Sequence, residues 1–261
     1  MKTFDSQNSD SRLFYHIGLT EAPGAAYALL PGDPGRVPQI AARLDGAEFL
    51  ASNREYTTYA GTLSGANVLV TSTGIGGASA AIAVEELYRA GVRTFIRIGT
   101  CGGMQTDVIG GDLVIATAAA RMEGTSREYT PPGYPAAADF EVISALANSA
   151  EQAGAARHIG VVQSKDSFYG QHEPERMPVA RALEANWDAC IKAGCIASEM
   201  ECAAVFSAAG VLRARSGAVL SVVWNQERAA KGLSNPQNFD VSAAVSVAVD
   251  ALKLLIARDR A

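Results

Sequence analysis

The stretch TFIRIGTCGG, residues 94–103, decides how the rest of the chain is read. Its first half is β-branched and aromatic, the composition of a buried strand, and its second half is a glycine turn. Arg97 stands in the middle, between Ile96 and Ile98. A guanidinium buried without an anion costs several kcal/mol, of order the desolvation of an unpaired ion. Arg97 therefore implies either an ion pair with a core carboxylate or an outside anion that binds beside the strand. Strand alternation puts Phe95, Arg97 and Gly99 on one face and Ile96, Ile98 and Thr100 on the other.

Working outward, the same kind of apolar run recurs at AYALLPG (26–32), NVLVTSTG (67–74), DLVIATAA (112–119), RHIGVVQS (157–164) and SGAVLSVVW (216–224). Between several of these lie helix-length segments with apolar residues at helical spacing: 77–91, 139–154, 198–210 and 240–258. Asp139, Ser198 and Asp240 are predicted N-caps, and Gly91, Gly154 and Gly210 predicted helix stops. Strands alternating with helices predict an α/β fold with a largely parallel or mixed sheet. Ligands of such sheets gather beyond the C-terminal strand ends. Three of those ends are glycine-rich here: PGDPGR (31–36), STGIGG (72–77) and GTCGG (99–103). Turns of this kind can aim backbone N–H groups at an anion.

The bulk composition narrows the function. With 261 residues, 48% hydrophobic and 19% charged, the chain is long enough for one large core or two small ones. A net charge of −5 supplies no basic field for nucleic acid or an anionic membrane. The polar start MKTFDSQNSDSRLFYHIG carries no apolar signal segment, and no run approaches the roughly 20 apolar residues that span a bilayer. These features predict a cytoplasmic protein with a loose arm over residues 1–14. The four cysteines, Cys101, Cys190, Cys195 and Cys202, have neither disulfide-framework nor zinc spacing. Cys101 reads as a free structural cysteine, with a catalytic thiol the alternative.

GIGGAS (74–79) misses the dinucleotide fingerprint, because Ser79 replaces its last glycine. Arg36 in PGDPGR and Arg54 in SNREYTTY read, each alone, as solvated arginines. Ser198-x-x-Glu201 has capping-box spacing, in which Glu201 ties back to the Ser198 backbone. The same carboxylate has two acceptor oxygens suited to vicinal ribose hydroxyls. In KDSFYGQHEPER (165–176), Phe168 can stack on a planar base and Gln171 can read a pyrimidine edge, its carbonyl accepting a ring N–H and its amide donating to a ring carbonyl. His16 and His172 read as surface histidines.

Taken in order, YHIGLT, PGDPGRV, REYTTY, STGIGG, FIRIGTCGG, DSFYGQ and SEMECAA make the chain resemble the uridine phosphorylases of the nucleoside phosphorylase-I family, from about Tyr15 to the last helix. The resemblance implies a single three-layer α/β/α domain over 15–261 with a mixed central sheet. It implies a pentosyltransferase that cleaves uridine reversibly with phosphate, and it needs no cofactor beyond phosphate as co-substrate. Phosphate is then held by Gly32, Arg36, Arg97, Gly99 and Thr100, with Arg54 from a neighbouring subunit. Ribose is held by Thr100, Glu199, Met200 and Glu201, with His16 of the neighbour at the 5′-hydroxyl. The base meets Gly102, Phe168, Gln171 and Gln226. Arg97, Arg36 and Glu201 carry the catalysis. Glu55, Ile75 and Ser79 match positions that hold a monovalent cation such as potassium in some relatives. The implied assembly is a homodimer with shared sites, built up into a homohexamer.

Two positions depart from the pattern of bacterial relatives, whose uracil pocket contains two arginines. His172 and Glu173 stand at one and Gln226 at the other, with Arg176 and Arg228 further along. The acid that protonates purines in related enzymes is also missing, since Asn225 and Gln226 stand near that point. Other readings are a phosphorylase or hydrolase for purine or other nucleosides on the same scaffold, and a nucleoside-binding module without catalysis.

Overall fold

A computed structural model describes residues 14–20 and 23–261. The arm expected over 1–14 lies outside these residues except for Phe14. The strands are β1 (Tyr27–Pro31), β2 (Asp45–Asn53), β3 (Tyr56–Leu63), β4 (Ala66–Thr71), β5 (Thr94–Gly103), β6 (Leu113–Met122), β7 (Ala136–Ala137), β8 (Arg157–Lys165), β9 (Ala197–Glu199) and β10 (Arg215–Asn225). The helices are α1 (Val37–Ala41), α2 (Gly77–Arg89), α3 (Thr125–Tyr129), α4 (Phe140–Gln152), α5 (Phe168–His172), α6 (Ala180–Lys192), α7 (Cys202–Val211), α8 (Gln226–Ala230) and α9 (Ser242–Asp259).

The strands form one mixed sheet with helices on both faces, as expected. Period-2 alternation sorts the core into two layers. Ala28, Leu30 and Phe95 face α2 and α7, whereas Leu29, Ile96 and Ile98 face α1, α4 and α9. Burying apolar side chains on both faces is what makes these strands continuous hydrophobic runs. α7 is buried almost all round, and its sequence CAAVFSAAGV is accordingly apolar on every side.

Half of the sheet closes on itself. β5 pairs in parallel with β1 and β10, β10 pairs antiparallel with β6, β6 pairs with β8, and β8 with β9. β9 then pairs back onto the end of β5, opposing Ser198 to Gly102 and Ala197 to Gly103. The ring β5–β10–β6–β8–β9 sets the ends of β5 and β8 on either side of the short strand β9.

Several local expectations change. Asp139 caps α4, accepting the N–H groups of Glu141 and Val142, and Gly91 and Gly154 follow their helices with φ of 112° and 63°. Ser198 is not an N-cap. It lies in β9, and α7 begins at Cys202. Asp240 sits one residue ahead of the N-cap position and accepts the Ser242 N–H at 2.8 Å. Gly210 lies inside α7 rather than beyond it. The β2–β3 hairpin and α6 fall where no apolar run marks an element. β2 is an exposed edge strand, and α6 buries only Cys190.

Candidate active site

The ends of β1, β4 and β5 are locked together by their parallel register, with Leu30 opposite Arg97 and Pro31 opposite Ile98. Beyond them the turns are stitched by main-chain bonds, Thr73 N–H to Pro31 O and Gly74 N–H to Gly32 O, each 2.9 Å. Two glycines are needed here. A Cβ on Gly74, whose φ is 69°, would sit 2.6 Å from Cγ of Glu55, and one on Gly99 would sit 2.8 Å from the Arg97 guanidinium.

These turns form one wall of a cavity of about 990 Å³. Around it lie Gly32, Arg36, Arg97, Gly99, Thr100, Gly102, Phe168, Gln171, Glu199, Met200 and Glu201, so eleven residues expected from four separate stretches are brought together. Glu55 and Ile75 also reach it.

Arg97 is the centre of its charged floor. Its side chain is 5% exposed, on the α2–α7 face that alternation assigns to it. The anion beside it in this structure is Glu201, whose Oε2 accepts from Nη2. Glu199 lies 3.4 Å from Nε without a hydrogen bond, and neither Nε nor Nη1 has a partner among the described residues. Nη1 lies 4.0 Å from where a Gly32 Cβ would stand, and Gly32 and Arg97 both line the cavity. The two carboxylates outweigh the desolvation that opposes charge on Arg97 and raise its pKa.

Glu199 and Glu201 divide their work differently from the capping-box expectation. Glu199 caps α7, accepting the N–H groups of Glu201 at 2.8 Å and Cys202 at 2.9 Å, and the hydroxyl of Ser164. Glu201 does not tie back to Ser198. Its Oε1 accepts the Gly76 N–H at 2.6 Å, which bridges α7 to the turn after β4. Burial raises the Glu201 carboxyl above the usual range, against the pull of Arg97.

Sequence reasoning missed Lys165. It is buried at the end of β8, lines the cavity, and donates to Ser198 Oγ at 2.9 Å. Burial lowers its pKa to about 8. Arg97 and Lys165 together balance Glu199 and Glu201, so the buried floor is neutral overall. The neighbours of Lys165 in QSKD are polar, so the sequence there carries no signal like that of Arg97 between two isoleucines.

The other end of the cavity is aromatic and amide-lined. Phe168 is half-exposed, with His172 at 4.4 Å between ring centroids and Trp224 behind it at 6.1 Å. Burial lowers the His172 pKa. Gln171 Oε1 accepts from Ser198 Oγ at 2.7 Å, and its Nε2 donates to Gln226 Oε1 at 3.0 Å. Gln226 itself faces a smaller cavity of about 280 Å³ behind Gln171, so it touches the main cavity only through Gln171. Neither candidate arginine reaches in. Arg176 pairs with Glu173 at 2.6 Å, and Arg228 donates to the carbonyls of Ser234 and Thr106. Asn225 is buried, with its amide on the carbonyls of Gln105 and Val108.

Three expected groups lie elsewhere. His16 and Arg54 are outside the cavity but near each other. His16 Nδ1 is 2.6 Å from Glu86, Asn53 donates to the His16 carbonyl, and Arg54, at φ 54°, faces the Tyr15 ring at 5.9 Å. Ser79 donates to Glu55 at 2.6 Å, a bond that lowers the Glu55 pKa, but does not itself reach the cavity. Cys101 is buried, its thiol pushed up by burial and facing the Ser221 carbonyl. A thiol held protonated is a poor nucleophile, and this favours the structural reading. No group of three metal-binding side chains occurs, and no helix is long and apolar enough to cross a membrane, among the described residues.

Residues 26–257 match the family model described as the phosphorylase superfamily. The chain is 51% identical to a uridine phosphorylase of Treponema pallidum, over 94% of this chain and 95% of that protein. It is 39% identical to a uridine phosphorylase of Escherichia coli, over 93% and 98%. It is 41% identical to a guanosine phosphorylase of Halorubrum lacusprofundi, over 80% and 83%.

Proposed function

Because the chain belongs to the phosphorylase superfamily, we propose that its cavity carries out the reversible phosphorolysis of uridine, giving uracil and α-D-ribose 1-phosphate. The protein is then a pentosyltransferase of pyrimidine salvage. The observation that carries the reading is the buried, cavity-lining Arg97, with Nε and Nη1 unpartnered and Glu201 on Nη2.

Phosphate enters among Gly32, Arg36, Arg97, Gly99 and Thr100 and takes the guanidinium donors that no protein group engages. Arginine suits it, because its planar fork meets two phosphate oxygens at once. Glu201, beside Met200 and Thr100, accepts from the ribose hydroxyls. Glu199, its oxygens already engaged by α7, holds Arg97 and Glu201 in place. As the C1′–N1 bond breaks, its electron pair leaves with the uracil and positive charge builds on the ribose ring. A phosphate oxygen then bonds to C1′, and the uracil anion takes up a proton. Donors at the uracil oxygens ease that departure. Gln171 is the donor near the base, in place of the absent arginine pair, and Phe168 stacks on its face.

His16 and Arg54 lie away from this protomer's cavity and next to one another. That placement supports a homodimer in which each subunit lends both residues to its neighbour's site, with dimers assembling into a hexamer. Glu55 and Ser79, with the Ile75 carbonyl, offer hard oxygen donors suited to a monovalent cation between subunits. A cytoplasmic location fits a reaction on small nucleosides with free phosphate.

A guanosine phosphorylase among the relatives makes a purine nucleoside the second reading. Against it, no carboxylic acid stands where a purine needs protonation, since Asn225 is buried and engaged with main-chain carbonyls. A nucleoside panel incubated with and without phosphate tests all of this. Uridine should be cleaved only with phosphate. Equal cleavage without it would overturn phosphorolysis, faster guanosine cleavage would favour the purine reading, and no cleavage would leave a binding module. The shared site has its own test. Arg54→Ala and Arg36→Ala proteins, each inactive alone, should regain activity when mixed, because in a mixed dimer the Arg54→Ala subunit keeps its own Arg36 and receives an intact Arg54 from its neighbour. No recovery despite proven subunit exchange would exclude sharing.

A further inference from the structure

One buried chain of hydrogen bonds has a polarity that can be worked out atom by atom. The Lys165 ammonium is a donor only, so in its 2.9 Å contact Ser198 Oγ accepts. The Ser198 hydroxyl is thereby free to donate, and it does so to Gln171 Oε1 at 2.7 Å. The oxygen of the Gln171 amide therefore faces Ser198 and its nitrogen faces Gln226 Oε1, which accepts at 3.0 Å. Amide orientation, ordinarily ambiguous, is set here by the lysine. Ser198 is itself immobile, held in β9 between β5 and β8.

We infer that Ser198 is a positioning residue that sets base specificity, by passing the donor-only polarity of Lys165 to the Gln171 amide. Gln171 then keeps one carbonyl lone pair and one N–H for a base. That pair matches the ring N–H and adjacent carbonyl of a pyrimidine 2,4-dione. A 4-aminopyrimidine presents a bare ring nitrogen in place of that N–H, an acceptor that the Gln171 carbonyl cannot bond unless the amide is turned over. Turning it would set its NH₂ against the Ser198 hydroxyl proton, which would then have no acceptor. A site left with mismatched polar groups rejects a ligand strongly. This inference rests on the uridine reading and adds the residue that enforces it.

The test compares kcat/KM for uridine and cytidine, with phosphate present, in wild type, Ser198→Ala and Ser198→Thr. Wild type should prefer uridine strongly. Ser198→Ala should lower kcat/KM for uridine about tenfold, the effect of one lost hydrogen bond, and narrow the uridine-to-cytidine ratio by at least about tenfold. Ser198→Thr retains the hydroxyl and should restore the ratio, which a packing defect in Ser198→Ala would not predict. In the double variant Lys165→Met/Ser198→Ala, the loss of discrimination should not exceed that of either single change, because both act through one relay. A wild type inactive on uridine would refute the uridine reading and this inference with it. An active wild type whose Ser198→Ala variant keeps the full ratio would refute the relay alone. So would a Ser198→Thr variant that loses discrimination, or additive effects of the two changes.

Discussion

The two ends of the cavity are built on opposite principles. The end near Arg97 is buried, charged and neutralised from within, made of strand termini whose register leaves little room to move. The end near Phe168 is half-open, aromatic and read by neutral amides on short helices. The difference follows the chemistry each end is asked to do. A phosphate and a developing cation need fixed charges in a low dielectric, and such charges hold only when each has a partner within the protein. A planar base needs a stacking face and a few directed hydrogen bonds, which tolerate exposure.

The sharpest way to break the comparison is to remove the centre of the charged end. Arg97→Met should lower kcat about 10²–10³-fold, as loss of one preorganised charge does. It should also destabilise the fold by about 3–5 kcal/mol, because Glu199 and Glu201 are left buried without their cation. Steady-state kinetics and thermal unfolding measure the two. A stable, inactive Arg97→Met would mean that the carboxylates find relief elsewhere. No comparable change at the aromatic end should unfold the protein.

Lys165 lies where the two ends meet, so its titration sharpens the boundary. Burial sets its pKa at about 8, below that of free lysine, with Glu199 and Glu201 partly opposing the shift. The ammonium form therefore dominates at neutral pH and is lost as pH rises through about 8. Uridine KM should rise over that range while phosphate KM changes little. In Lys165→Arg the group stays charged, so the KM rise near pH 8 should vanish. A wild-type profile identical to that of Lys165→Arg would detach Lys165 from the base.

The smallest effect is expected at Cys101, which touches the cavity but keeps its proton. Cys101→Ala should alter kcat/KM by less than about twofold, within the range of a tolerated change away from any reacting atom. Loss of activity on treating wild type with a thiol reagent, absent in the variant, would show the thiol to be accessible and would weaken the burial argument.

Much of the charged end is legible in the sequence alone. Arg97 stands out because its neighbours are apolar, and the glycine turns because they follow strand-like runs. The base end is less so. Ser198 and Glu201 have capping-box spacing, yet β9 pairs with both β5 and β8, and this holds Ser198 in the sheet. Glu199, one residue on, is the carboxylate left facing the N-terminus of α7. Arg176 and Arg228 are near in sequence to the base-binding positions but turn to Glu173 and to main-chain carbonyls. Lys165 escapes a sequence reading because its burial comes from the strands on either side of β8, not from its own neighbours.

By itself, then, the amino-acid sequence determined the alternation of strands and helices, the glycine turns at the strand ends, and the presence of a buried cation that needs an anion. All of these are local consequences of period, composition and backbone freedom. Only the tertiary structure decided which carboxylate meets Arg97, which one caps α7, and how Lys165, Ser198 and Gln171 join into one chain. Those depend on β9 entering between β5 and β8, and strand order is set by packing over the whole chain rather than by any stretch of it.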